Sequence, residues 1–253
     1  MSFSSSTPPP LPSPVPALRA TGLRKTYGDL VALGGVDLTV LPGESVAIMG
    51  ASGSGKTTLL HCLAAIIAPD AGSILLRTPT GEERELAALS ENERSTVRRQ
   101  HLGFVFQDHL LLPELTAVEN VALPLLLLGV ARAEAEARAA AWLAWLGLAG
   151  MENRRIGQLS GGQAQRVAIA RAHVTGAAIV FADEPTGALD SVTSTEVLDA
   201  LLRGAEGTAR SLVLVTHDAA VAARCDRVLH MRDGRFVNDA VIGASGTTSE
   251  AHR

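Results

Sequence analysis

Aromatic residues are scarce in this chain of 253 residues: Phe, Trp and Tyr make up 3%, against 47% hydrophobic residues in all. A core of that composition must be built from Leu, Val, Ile and Ala. An excess of positive charge is also missing. With 22 Lys and Arg against 26 Asp and Glu, the formal net charge is -4, so no global basic field argues for nucleic acid. There are two cysteines, Cys62 and Cys225, far apart and in no CxxC pair. That spacing offers no metal site and fits buried small hydrophobes in a reducing compartment. No apolar run is long enough to span a bilayer. The greasiest, Val121 to Val130, is short and interrupted by Pro124 and Gly129. The first residues show no charged region followed by an apolar one, so no secretory signal is expected. The expectation is a cytoplasmic chain without direct membrane insertion, brought to a membrane only by another chain.

What is present suits one large α/β domain or two small ones. A Ser/Pro-rich opening, residues 1–17, reads as a disordered tail, and the small and polar residues 240–253 as a flexible second one. The folded region is then expected over 18–239. Val36 to Val40 alternates as a half-exposed antiparallel strand does. Ser73 to Arg77 and Leu102 to Phe106 read as short strands, separated by the charged, surface-type stretch Thr78 to Gln100. A helical region follows from about Val118 to Leu148, in which Ala139, Trp142, Leu143 and Leu146 share one face. Ile179 to Asp183 and Leu212 to Thr216 are apolar runs of the kind found in a parallel sheet covered on both faces. Asp233-Gly234 between two strand-like runs signals a hairpin.

The chain is organised around Gly50-Ala51-Ser52-Gly53-Ser54-Gly55-Lys56-Thr57-Thr58, which follows a strand-like run and opens a helix-like one. This is the P-loop spacing in its required context. Its glycines let successive backbone N–H groups converge on a phosphate, helped by the helix N-terminus. Lys56 can reach the outer phosphates and the Thr57 hydroxyl can ligate magnesium. At the end of a buried strand, Asp183 can hold that cation, and Glu184 can accept a proton from an attacking water. His217 ends the next apolar strand. In a parallel sheet it emerges on the same edge as the P-loop, within reach of a terminal phosphate.

A second anion-binding device lies at Leu159-Ser160-Gly161-Gly162-Gln163, where a hydroxyl and two glycines open a helix. One nucleotide needs one P-loop. A head-to-tail dimer, each chain's Ser160 turn capping the nucleotide on its partner's P-loop, accounts for both.

With these residues in view the chain resembles the ATP-binding subunits of ABC transporters. Gly50–Thr57 matches Walker A, Leu159–Gln163 the ABC signature, Ile179–Asp183 with Glu184 Walker B and its catalytic glutamate. Gln107 matches the Q-loop glutamine, Ala188-Leu-Asp190 the D-loop, His217 the switch histidine and Tyr27 the aromatic that stacks on adenine. Further strings, such as Gly103 to Gln107, Leu111 to Asn120 and Ala182 to Asp190, look like the lipoprotein-releasing and macrolide-exporter branch. The chain departs from the family pattern in three places. Thr175 to Ala178 lacks the proline common before Walker B, His173 stands where a small residue is usual, and Ala65 replaces a frequent glycine.

The resemblance implies a P-loop NTPase of the ABC ATPase fold: a parallel-sheet core, an antiparallel β subdomain and a helical signature subdomain at about 108–175. It implies a homodimer in which ATP is clamped between one P-loop and the other chain's Ser160, Gly161, Gly162 and Gln163. Mg2+ would be held by Thr57, Gln107 and Asp183, with Glu184, His217 and Gln107 as catalytic residues. The implied function is ATP hydrolysis that powers export or extraction of a lipoprotein, peptide or drug-like substrate through a separate integral membrane permease, at the cytoplasmic face of the plasma (inner) membrane. Leu110–Leu112 and the region to Leu128 are candidate permease contacts. A cell-division-type ATPase that regulates a membrane partner without transport, or a soluble regulatory ABC-type ATPase, is the alternative.

Overall fold

The computed structural model describes residues 15–187, 189–205 and 210–241. Most of both expected tails, and Ala188 of the Asp190 loop, lie outside the described residues. The chain runs β1 (Leu18–Tyr27), β2 (Leu30–Val40), β3 (Ser45–Met49), α1 (Lys56–Leu63), β4 (Ala71–Arg77), β5 (Glu83–Glu85), α2 (Glu91–His101), β6 (Leu102–Phe106), α3 (Ala117–Leu127), α4 (Arg132–Trp145), α5 (Gly161–His173), β7 (Ile179–Asp183), α6 (Ser191–Ala205), β8 (Ser211–Val215), α7 (Ala219–Ala222), β9 (Arg227–Arg232) and β10 (Arg235–Val241).

Two sheets form. In the first, ordered β2-β1-β4-β5, all pairs are antiparallel. Val36, Leu38 and Val40 of β2 alternate as buried residues with Asp37 and Thr39 between them, and Leu18, Ala20 and Leu23 of β1 are buried with the alternation broken by a register shift between Ala20 and Leu23. The second sheet is ordered β10-β9-β3-β8-β7-β6, parallel except for the β9–β10 hairpin. The hairpin turns at Asp233 (φ 50°) and Gly234 (φ 71°), the left-handed pair that a two-residue connection between twisted strands needs.

The central strands β3, β7 and β8 are mostly apolar because both of their faces are covered. Ile48, Phe181, Val213 and Val215 point into one core with Leu59 and Leu63 of α1 and the buried face of the antiparallel sheet. Their neighbours Ala47, Val180, Ala182, Leu212 and Leu214 point into a second core with α3, α4, α5 and α6. Ala139 and Leu143 of α4 and Leu146 just past its end are buried as their spacing requires, and Trp142 packs half-buried at the margin. The charged stretch before β6 contains α2, opened by a capping box between Ser90 and Glu93; Val97 is its one buried residue.

Register aligns the strand ends along one edge of the sheet. Phe106 pairs with Asp183, Asp183 with Val215, and Ile48 with Val215. The segments that follow β3, β6, β7 and β8 therefore leave the sheet side by side, at the carboxyl ends of parallel strands.

Candidate active site

Those segments and the tip of the first hairpin enclose a cleft of about 690 Å³ lined by the P-loop, Gln107, Asp183, Glu184, Gly187, His217 and the lip residues Tyr27, Leu30 and Val31. The P-loop is shaped by close backbone approaches. A Cβ on Gly50 would lie 2.2 Å from the Met231 carbonyl oxygen, and one on Gly55 2.4 Å from that of Ala32. The β9–β10 turn buttresses the loop through Gly234 N–H to the Ser54 carbonyl (3.0 Å). The Ser54 side chain is buried away from the cleft, so its contribution to the site is its backbone. No side chain caps α1, which leaves its first amides and the positive end of its dipole for an anion. Lys56 is nearly buried and donates to the Gly50 and Ala51 carbonyls (2.8 and 2.9 Å).

Asp183 sits half-buried at the end of β7. Burial raises its pKa, while a hydrogen bond from Thr57 and the charges of His61 and Lys56 oppose the rise and Glu184 adds to it. A desolvated carboxylate touching a hydroxyl is a donor set for a hard cation that also takes phosphate oxygens. Among the described residues no group of three or more His, Cys, Asp or Glu forms a metal site of its own.

Glu184 has φ 47°, a left-handed conformation that a non-glycine residue keeps only when its surroundings impose it. Its N–H donates to Val215 O (2.9 Å) and its carbonyl accepts from Gly187 N–H (3.1 Å). The turn thereby aims the carboxylate at His217, whose Nδ1 lies 2.9 Å from Glu184 Oε1. That hydrogen bond and the carboxylate's charge raise the His217 pKa. Across the cleft, the Gln107 amide lies so close that a Cβ on Gly187 would come within 3.4 Å of its nitrogen. Tyr27 is 50% exposed at the lip. Lys25 stands 5.8 Å from its ring centroid and is pinned by Asp70 at 2.7 Å, so the ring's edge of the cleft is fixed by a cation–π contact.

The signature residues lie elsewhere. Ser160 caps α5, its Oγ accepting from Gln163 N–H (3.3 Å) while Gln163 Oε1 accepts from Ser160 N–H (2.9 Å). Ser160 and Gly161 are exposed, and none of residues 160–163 lines the cleft. Gly162 is buried against α6, where a Cβ would lie 2.1 Å from Thr193 Cγ2. Leu30 and Val31 belong to the cleft without any motif that marks them, and Gly187 joins it from within the Ala182 to Asp190 string. The signal for the first two is an apolar pair immediately after the Gly28-Asp29 turn.

A glycine-shaped anion loop opening an uncapped helix, with a half-buried acid and a second acid next to it at the end of a nearby parallel strand, defines a P-loop nucleotide-binding cassette. The family model described as ABC transporter matches residues 33–187, and the chain belongs to that family. It is 47% identical over 225 residues to the lipoprotein-releasing system ATP-binding protein LolD of Bordetella avium (strain 197N), covering 87% of this chain and 96% of that one. It is 46% identical over 236 residues to the macrolide export ATP-binding/permease protein MacB of Rhodopseudomonas palustris (strain HaA2), covering 92% of this chain but only 34% of that protein's length. A solved ATP-binding cassette, described as dimeric in a post-hydrolysis state with ADP and Pi, superposes with a TM-score of 0.80 at 36% identity and covers 90% of this chain and all of that one.

Proposed function

We propose that this chain is the ATP-binding and ATP-hydrolysing subunit of an ABC transporter. It would work as a homodimer at the cytoplasmic face of the plasma (inner) membrane and power export or extraction of a lipoprotein, peptide or drug-like substrate through a separate membrane permease. One observation carries the reading: Lys56, Asp183, Glu184, Gln107 and His217 meet in one cleft, while the Ser160 turn is exposed and outside it. A cleft with its own phosphate loop and an outward-facing second anion device complete each other only across two chains.

In this reading the P-loop amides and Lys56 bind the phosphates, and Tyr27 with Leu30 and Val31 takes the base. Glu184 draws a proton from the attacking water and His217 steadies the terminal phosphate. The signature turn, residues 160–163, caps the partner's nucleotide. Thr57, Asp183 and Gln107 would hold Mg2+, which neutralises phosphate charge when bound. A helical subdomain at about 108–175 would carry the signature, within an ATPase domain at 18–239.

An apolar groove of about 370 Å³ lies beside Gln107, with Phe104, Leu110 and Leu127 in its wall. Leu110 and Leu127 are 58% and 57% exposed. His109 and Leu110 are left-handed (φ 61° and 47°), and Arg171 holds both carbonyls, at 2.8 and 2.6 Å. A strained, clamped loop next to Gln107 supports this groove as the permease contact. None of the described helices is long and apolar enough to cross a membrane.

The test mixes two inactive full-length variants, Lys56→Ala and Ser160→Arg. In an equimolar mixture about half of the dimers are mixed and each of these has one intact pocket of two, so ATP hydrolysis should return to about a quarter of the wild-type rate if pockets act independently. No recovery from a mixture shown to form mixed dimers would refute the shared site.

A further inference from the structure

The strongest unassigned feature is Gln165, two residues past the signature on α5 and fully buried at 0% exposure. Its Nε2 donates to two carbonyls from two other parts of the site: Pro185 O at 2.7 Å and Phe106 O at 3.3 Å. Pro185 directly follows Glu184, and Phe106 directly precedes Gln107. Its Oε1 is buried without a hydrogen-bond partner. The opposite amide orientation would set that oxygen against two carbonyl oxygens, so the donors must face this way. A buried polar group that leaves its own acceptor orphaned is held for what its donors do.

What they do follows from the turn they hold. Glu184 keeps its left-handed φ only under restraint, and the restraints are Val215 O, Gly187 N–H and, one residue on, the amide of Gln165. The same amide fixes the carbonyl before Gln107. Gln165 belongs to the helix that Ser160 caps, so a rigid α5 carries the signature end and this brace together.

We infer that Gln165 is a positioning residue for hydrolysis: it braces the turn bearing Glu184 and the backbone entering Gln107 against the signature helix, so that both side chains are held in place at the cleft. This rests on the ATPase reading above and assigns Gln165 no contact with nucleotide.

The test uses the full-length chain at a temperature well below its unfolding midpoint. Gln165→Met keeps length and removes both donors; Val167→Ala, a fully buried change on the same helix, is the control for lost stability. Gln165→Met should lower kcat at least about tenfold with KM for ATP changed less than about twofold, whereas Val167→Ala should keep kcat at a comparable loss in Tm. Wild-type kcat in folded Gln165→Met, or an equal kcat loss in Val167→Ala, overturns the proposal. If Gln165→Met does not fold, Gln165→Asn decides: its carboxamide is one methylene short of spanning both carbonyls, so kcat should fall, and unchanged kcat overturns the proposal. A wild-type chain that does not hydrolyse ATP with its permease refutes the ATPase reading itself, and the role of Gln165 falls with it. An active wild type with an active Gln165→Met refutes only the brace.

Discussion

His217 Nδ1 and Glu184 Oε1 are 2.9 Å apart, joining the residue after β7 to the second residue after β8. The imidazole is the more exposed partner, at 72% of its side chain against 20% for the carboxylate. The carboxylate holds the proton on His217 and raises its pKa above the ordinary 6.5. Their coupling is complete below that ordinary value and is lost as pH rises through the raised one. Glu184→Gln removes the charge, so the His217 ring protons should titrate at lower pH in the variant than in the wild type by NMR. Identical titrations would mean that the pair does not form in solution.

The same substitution separates binding from chemistry. A glutamine keeps the size of Glu184 but cannot take a proton. Hydrolysis by Glu184→Gln should fall by about 100-fold or more, the range of a lost general base, while ATP binding persists and an ATP-bound dimer accumulates. Steady-state turnover and sizing with ATP measure both. Normal turnover would remove Glu184 from the role of base.

Gly162 is needed for packing against α6. A Cβ there would lie 2.1 Å from Thr193 Cγ2, and Thr193 is itself tied to Asp190 through its hydroxyl at 2.7 Å. Gly162→Ala should therefore destabilise by about 1–3 kcal/mol, the usual cost of overpacking. Thr193→Ser deletes the offending methyl and keeps the hydroxyl. In the double variant most of the loss should return, read as a denaturant midpoint shift at constant m-value. Additive losses would show that the two helices do not meet at this contact.

Residue strings that act through local backbone are legible in the amino-acid order itself. The P-loop, the Ser160 cap and the Asp233-Gly234 hairpin need a few consecutive residues each. The stretch that forms α2 reads as polar surface, although Ser90 and Glu93 spell a capping box, because one buried Val97 produces no periodicity. Relationships between distant segments leave no such trace. Gln165 resembles any polar residue on a helix until α5 is laid across the ends of β6 and β7. Two departures from the family pattern have physical readings in the fold. Ala65 has φ 55°, the conformation that favours glycine. His173 is matched by Gly204, where a Cβ would come 2.7 Å from the imidazole; the two are distant in the chain, and no local rule links them.

His173 also makes the fold sensitive to acid. Its ring is 1% exposed, stacks on Trp142 with centroids 5.3 Å apart, and has no hydrogen-bond partner for either nitrogen among the described residues. Burial, helped by the charge of Arg210, pushes its pKa down to about 4. The native state thus holds the neutral ring while the unfolded chain takes up a proton near 6.5. Stability is full above that ordinary value and is lost as pH falls from there toward about 4. Between about pH 7 and about pH 5 the loss should be about 2 kcal/mol from this one group. Asp70, held down to about 2 by Lys25 and Thr26, titrates below that window. His101, also lowered by its own burial, contributes a loss of the same sign as pH falls, so the comparison must be differential. Urea unfolding at both pH values, for the wild type and His173→Leu, isolates the His173 share: the variant should lose about 2 kcal/mol less than the wild type over this range. Equal losses would mean that the imidazole finds water or a partner in the folded chain, and that its stack on Trp142 is not closed to solvent.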